Sequence, residues 1–177
     1  MKRGARRAAA MAAALLNVLL CRHGETHDNV AQRTQGHAHG ALTDVGKTQA
    51  ATLVRVRCFA LRPGLAHAPL QKAARLADTR FDAVLCSDLH RAAETLQIVA
   101  RGARVTSPHP PPLFLPLLRE RGAGVFEGLP LATVAAACTA QGGAPRRFRP
   151  EGGESWEDVR ARAKDFLLLC VLRRCSV

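Results

Sequence analysis

The first residues that could do chemistry are Arg22-His23-Gly24-Glu25-Thr26, with Asn29 a short step further on. A neutral imidazole is a good nucleophile, and histidine is largely neutral near pH 7. Arg22 offers a planar fork of donors that suits a phosphate. Gly24 lets backbone approach such an anion closely. Thr26 and Asn29 add neutral donors. The chemistry would be capture of a phosphoryl group by His23. The competing reading is a surface histidine in a basic turn.

Later blocks bear on that choice. Gln35-Gly36 comes first, then Leu42-Thr43 with Gly46 and Gln49-Ala50. Ser87-Asp88-Leu89-His90-Arg91-Ala92 runs on to Thr95. Leu118-Arg119-Glu120-Arg121 leads to Gly124 and Glu127-Gly128, and Pro150 to Ser155 closes the series. Read alone, Arg91 is a solvated helix residue, and Glu120 is an ion-pair partner for Arg119 or Arg121.

The elements that must position these residues follow from patterning. Leu15 to Cys21 is an apolar run broken only by Asn17, and reads as a buried first strand ending at the His23 turn. Thr43 can cap a helix from about Asp44 to Arg55, with Val45, Ala50 or Ala51 and Leu53 or Val54 on its apolar face. Arg57 to Lys72 has no clean period and reads as a surface insertion. Phe81 to Cys86 is a second strand. Ser87 or Asp88 caps a helix from Leu89 to Arg101, which Gly102 can terminate. A Pro-rich linker, Ser107 to Pro112, leads to an extended Leu113 to Leu118. Pro130 suits the first turn of a helix through Ala140, stopped by Gly142-Gly143. Ser155 and Asp158 form a capping-box pattern. The helix after them places Trp156, Val159, Ala163, Phe166, Leu167 and Cys170 on one face. Alternating strands and helices imply an α/β sheet with ligands beyond the carboxyl ends of its strands. Arg22-His23 and Ser87-Asp88 both lie at such an edge.

Composition narrows the partners. The 177 residues suffice for one ordinary domain, 47% of them apolar, but aromatics are scarce. A net charge of +12 favours anionic partners. The arginines are scattered, with no basic run or basic–aromatic alternation, so nucleic acid is not the expected partner. None of the six cysteines forms a C-x-x-C pair, which argues against zinc and disulfides and for a reducing compartment. Residues 1–10 read as a basic leader or upstream extension, and Met11 could start a shorter form. A cytoplasmic protein is the favoured reading over a mitochondrial presequence, because cleavage would cut into the first strand. No apolar stretch is long enough for a membrane span.

Together the blocks resemble the histidine phosphatase superfamily, also called phosphoglycerate mutase-like, over about Met11 to Leu172. From Leu118 to Leu172, Arg119-Glu120-Arg121, Val125 to Gly128, Gly153-Glu154 and Lys164-Asp165-Phe166 resemble the fructose-2,6-bisphosphatases of that superfamily. The resemblance implies a three-layer α/β sandwich, its mostly parallel sheet carrying helices on both faces. It implies hydrolysis of fructose 2,6-bisphosphate, or a related small phosphorylated metabolite, through a phosphohistidine on His23. Glu120 would be the acid/base. Arg22 and Arg91 would clamp the phosphoryl oxygens. Gly24, Glu25, Thr26, Asn29, Gln35 and Gly36 would line the substrate site. No metal or other cofactor is implied, since arginines neutralise the charge. Two alternatives share these residues: a catalytically impaired phosphate-binding fragment, and a phosphoglycerate mutase-type phosphotransferase.

The chain departs from the family pattern in one large respect. The family uses a second histidine on a late strand, whereas none of the seven histidines here follows His109. The expectation is a partial domain over 11–177 with its C-terminal part missing, interrupted by an insertion at 57–72. A sheet edge and an apolar helix face would then be exposed. In smaller departures, Ala41 stands where proline is common and Glu94 where glutamine is common.

Overall fold

The computed structural model describes residues 18–53, 57–58, 74–75, 81–102 and 111–174. The one-turn helix α1 spans His27–Val30. Thr26 caps it reciprocally: its hydroxyl accepts from the Asn29 N–H (3.2 Å), and its own N–H donates to Asn29 Oδ1 (3.1 Å). Helix α2, Asp44–Leu53, begins as expected at Thr43, whose Oγ1 accepts from the Gly46 N–H at 3.0 Å. The expected apolar face is corrected. Val45 is exposed, and the packed side of α2 is Gly46 and Ala50. Small residues face inward because α2 lies directly on the His23 loop.

Strand β1, Arg57–Cys58, pairs antiparallel with β2, Ala74–Arg75. The remainder of the expected insertion lies outside the described residues. Strand β3, Leu85–Cys86, leads into helix α3, His90–Gly102, with Ser87 Oγ accepting from the Leu89 N–H at 3.3 Å. Strand β4, Leu113–Phe114, pairs parallel with β3. The extended run expected through Leu118 ends sooner, in a 3-10 turn at Pro116–Leu118. Pro116 has no N–H for a ladder, so pairing stops after Leu115 donates to Cys86 O at 2.8 Å.

Helix α4, Leu131–Ala140, starts after Pro130 and is followed by Gly142 and Gly143 at positive φ, as anticipated. Backbone bonds from Thr34 to Leu129 O (2.8 Å) and from Leu131 to Gln32 O (3.0 Å) tie its start beside the loop after α1. Helix α5, Trp156–Arg174, opens on the expected capping box, with Ser155 N donating to Asp158 Oδ2 (2.7 Å) and Asp158 N to Ser155 Oγ (3.2 Å). Its apolar face also needs correction. The expected Val159, Phe166 and Cys170 are part-covered, but Trp156, Ala163 and Leu167 are exposed and Arg162 joins the covered side. An arginine occupies the inward stripe because backbone carbonyls of the Pro116–Leu118 region are waiting there for donors.

The largest correction concerns the first strand. Its described part, 18–21, forms no strand, and Leu20 is 88% exposed. Val18, Leu19 and Leu20 are all exposed, so the apolar run does not bury itself in a sheet there. The apolar core comprises Leu42, Ala50, Cys86, Leu89, Ala123 and Phe148. Beside it lie buried Thr26, Gln35, Arg91 and Thr95. Among the described residues the largest fully buried side chain is a charged one, Arg91. Buried cations are rare unless paired, so that position marks the site.

Candidate active site

Two elements, α3 and α2 with its cap, fix the His23 loop. The Gly24 N–H donates to Thr95 Oγ1 on α3 at 3.1 Å, and Thr95 in turn donates to Arg91 O at 2.7 Å. The Glu25 N–H donates to Gln49 Oε1 on α2 at 2.9 Å, and the Glu25 carboxylate accepts from Thr43 Oγ1 at 2.8 Å. Gly24 and Gly46 touch backbone to backbone. A Cβ on Gly24 would fall 2.3 Å from Gly46 O, and one on Gly46 would fall 2.1 Å from Glu25 O. The helix therefore seats on the loop only with glycine on both sides.

His23 Nδ1 lies 2.7 Å from Gly24 O. A carbonyl can only accept, so Nδ1 carries the proton and Nε2 keeps its lone pair. Burial lowers the His23 pKa below the ordinary 6.5. Arg91 and Arg22 push the same way, against the Gly24 carbonyl and Glu120. The ring is thus held neutral, in one tautomer, beside two guanidinium groups.

Arg91 is 1% exposed. It donates to Gly36 O at 2.8 Å, Ala38 O at 3.0 Å and Glu120 Oε2 at 2.8 Å. Gly36, at φ +52, cannot carry a side chain, since a Cβ would meet Glu127 Oε1 at 2.4 Å and Ala123 N at 2.7 Å. Glu94, the unusual residue on α3, accepts from the Leu42 N–H at 3.2 Å and so fastens the strand-like segment before α2.

A cavity of about 990 Å³ opens over these groups. Of the residues singled out from sequence, Arg22, His23, Gly24, Glu25, Asn29, Gln35, Gly36 and Glu120 lie on its wall. Arg91 sits behind that wall, reaching it through Glu120. Thr26 requires correction as a substrate donor. It is fully buried, and its hydroxyl donates to Gln35 Oε1 at 3.0 Å and accepts from Asn29 N, so it supports the loop from beneath. Its type and spacing suit a donor, but sequence does not show which way the hydroxyl points.

Sequence reasoning missed part of the wall: Arg33, Arg121, Phe148, Trp156 and the α4 residues Leu131 and Val134. Arg121 lies 5.3 Å over the Trp156 ring and donates to Glu154 O at 3.0 Å. Arg22, Arg33 and Arg121 form no ion pair with a carboxylate among the described residues. Arg91, Arg119, Arg147, Arg149 and Arg162 all do. The signal for Arg121 was its place beside Glu120, and Arg33 had none. No cluster of His, Cys, Asp or Glu among the described residues could hold a metal ion. Likewise, no described helix is long and apolar enough to cross a membrane.

A histidine kept neutral near two arginines, with the Glu120 carboxylate on the same cavity wall, is a set of groups suited to phosphoryl transfer. The family model for the histidine phosphatase superfamily (branch 1) matches residues 18–57 and 65–174, and the chain belongs to that superfamily. Among curated relatives, the chain is 35% identical over 149 residues to fructose-2,6-bisphosphatase TIGAR B of Danio rerio, covering 84% of this chain and 50% of the relative. It is 38% identical over 112 residues to the adenosylcobalamin/alpha-ribazole phosphatase of Salmonella typhimurium, covering 63% of this chain and 44% of the relative. Among solved structures, the alpha-ribazole phosphatase of Shigella flexneri superposes with a TM-score of 0.65 at 25% identity, covering 86% of this chain and 66% of that one. The fold is thus the α/β, phosphoglycerate mutase-like one. The chain spans about half the length of the curated relatives it matches.

Proposed function

We propose that this chain is a phosphatase that passes a phosphoryl group through His23, with fructose 2,6-bisphosphate as its substrate. The observation that carries the reading is the His23–Gly24 bond of 2.7 Å, which fixes the tautomer that leaves Nε2 free. In the first step Nε2 forms a bond to phosphorus as the bond to the sugar oxygen breaks. Glu120 gives its proton to that oxygen. Arg22, and Arg91 behind Glu120, offset the negative charge on the phosphoryl oxygens. In the second step water attacks phosphorus, Glu120 takes the water's proton, and the bond to Nε2 breaks. Gln35, Gly36 and Asn29 line the space for phosphate and sugar, and Glu25 braces the loop through Thr43.

Support for a bisphosphate comes from Arg33 and Arg121. Both line the cavity without a carboxylate partner among the described residues, and a second anionic group would complement them. A second reading rests on the apolar wall of Leu131, Val134, Phe148 and Trp156. That wall suits a phosphomonoester with a flat apolar group beside the phosphate. Phosphate release from fructose 2,6-bisphosphate and from an aryl phosphate separates the two. The proposal expects His23-dependent release, with kcat/KM favouring the bisphosphate. Release that is equal in wild type and His23→Ala would overturn it.

A further inference from the structure

We propose that Arg162 is a positioning residue for Glu120: it fixes, through backbone, the segment that aims this carboxylate across the cavity. The inference rests on the reading of Glu120 as the proton donor to the leaving oxygen. Arg162 lies on the inward stripe of α5, with its side chain 16% exposed. One edge of its guanidinium grips both oxygens of Glu154, Nε to Oε1 at 2.9 Å and Nη2 to Oε2 at 3.0 Å. The remaining donors reach Leu117 O at 2.8 Å and Glu120 O at 3.1 Å. Glu154 completes the frame, since its Oε2 accepts from Gly122 N at 2.8 Å and its own N–H donates to Gly122 O at 2.9 Å. The side-chain pair therefore holds three backbone groups between Leu117 and Gly122, and the Glu154 N–H holds a fourth.

Beyond this frame Glu120 has two further contacts, one of them a bond that its carbonyl accepts from His37 Nε2 at 3.0 Å. Its side chain is 49% exposed and makes a single ion pair, to Arg91. The residues on either side turn elsewhere, Arg119 to a two-bonded pair with Asp88 and Arg121 to Glu154 O and the Trp156 ring. The aim of Glu120 is thus set by the rigidity of its backbone. A forked guanidinium supplies that rigidity at several acceptors at once, which an ammonium cannot. A displacement of about 1 Å in a reacting group can cost on the order of 10²-fold in rate.

The test uses the leaving group. p-Nitrophenyl phosphate departs as a stabilised phenolate that needs no proton, whereas fructose 2,6-bisphosphate must release a sugar oxygen that does. We measure kcat/KM, which reports the phosphorylation half-reaction, for both substrates. The proteins are wild type, Glu120→Gln, Arg162→Gln, Arg162→Lys and the exposed-arginine control Arg147→Gln. Glu120→Gln is expected to lose roughly 10²-fold more on the sugar phosphate than on the aryl phosphate. Arg162→Gln is expected to show the same selective loss at about 10-fold or more, with Arg162→Lys between it and wild type and Arg147→Gln like wild type. Thermal melts identify the folded variants, and Arg162→Lys serves where Arg162→Gln does not fold. If Glu120→Gln is selective and the folded Arg162 variants slow both substrates equally, Arg162 is merely structural and the inference fails. If Glu120→Gln itself loses both substrates equally, or wild type turns over neither, the reading of Glu120 fails and the inference falls with it.

Discussion

His23 is neutral because burial disfavours the imidazolium before any neighbour acts, and Arg91 and Arg22 then add to the same effect. The direction has a kinetic consequence. A lowered pKa keeps the nucleophilic form populated to lower pH, so the acid limb of kcat/KM should lie below 6.5. Arg22→Gln removes one lowering charge and should move that limb upward. A wild-type limb above 6.5 would contradict the account, and a pH–rate profile on an aryl phosphate measures it. The linkage at Glu154 carries a second prediction. Burial alone would raise its pKa, but the Arg162 fork and the Gly122 N–H hold it below 4.5. Its contribution to stability is present above that value and is lost as pH falls through the lower folded pKa. The melting temperature should fall on acidification through that window, less steeply in Glu154→Gln. Residues with local chemistry were legible at this scale. Arg22-His23-Gly24 declares itself by type and spacing, whereas Arg162 does not, because its carbonyl partners lie far along the chain and only the fold brings them close.

At the scale of elements, the contact between the His23 loop and α2 is the tightest constraint on the site. A methyl group at Gly46 would press on the Glu25 carbonyl, and neither partner is a flexible side-chain tip. Gly46→Ala should cost about 1–3 kcal/mol of stability, as overpacking does, read from a urea unfolding midpoint, and should lower kcat as the loop is displaced. An unchanged midpoint would show that the helix can shift away. Helix starts were legible where a cap announces them, at Thr43 and at Ser155 with Asp158, since those bonds are local in sequence. The run at 18–21 was misread as a strand because apolar composition specifies a need for burial but not the partner that satisfies it. The same limit applies to α5, whose inward stripe is set by the donors its neighbours require as much as by hydrophobicity.

At the scale of the molecule, burial among the described residues is concentrated under the cavity and thins toward α5 and 18–20. Phe148 is 7% exposed and faces Phe126 at 6.1 Å, while Leu168 on α5 is 57% exposed. Phe148→Ala should therefore cost about 3 kcal/mol, whereas Leu168→Gln should change stability by less than about 0.5 kcal/mol. Chemical denaturation of the two variants checks both, and equal losses would mean that α5 is packed more tightly than its exposure indicates. The positive charge of the chain also sorts by place. Arg119, Arg147, Arg149 and Arg162, off the cavity, close on carboxylates, whereas Arg22, Arg33 and Arg121 on its wall pair with no carboxylate among the described residues. Composition favours an anionic partner, and the alternation of strands and helices made the α/β fold class legible. Which strands pair is a long-range choice that no local pattern specifies.

The central claim is that His23 carries the phosphoryl group, and trapping the intermediate tests it most directly. The chain is mixed with fructose 2,6-bisphosphate, quenched in base within the first turnovers, digested and mapped by mass spectrometry. The account predicts an acid-labile phosphoryl adduct on the peptide containing His23, absent from His23→Ala. Phosphate release without that adduct, or an adduct on another residue, would contradict it.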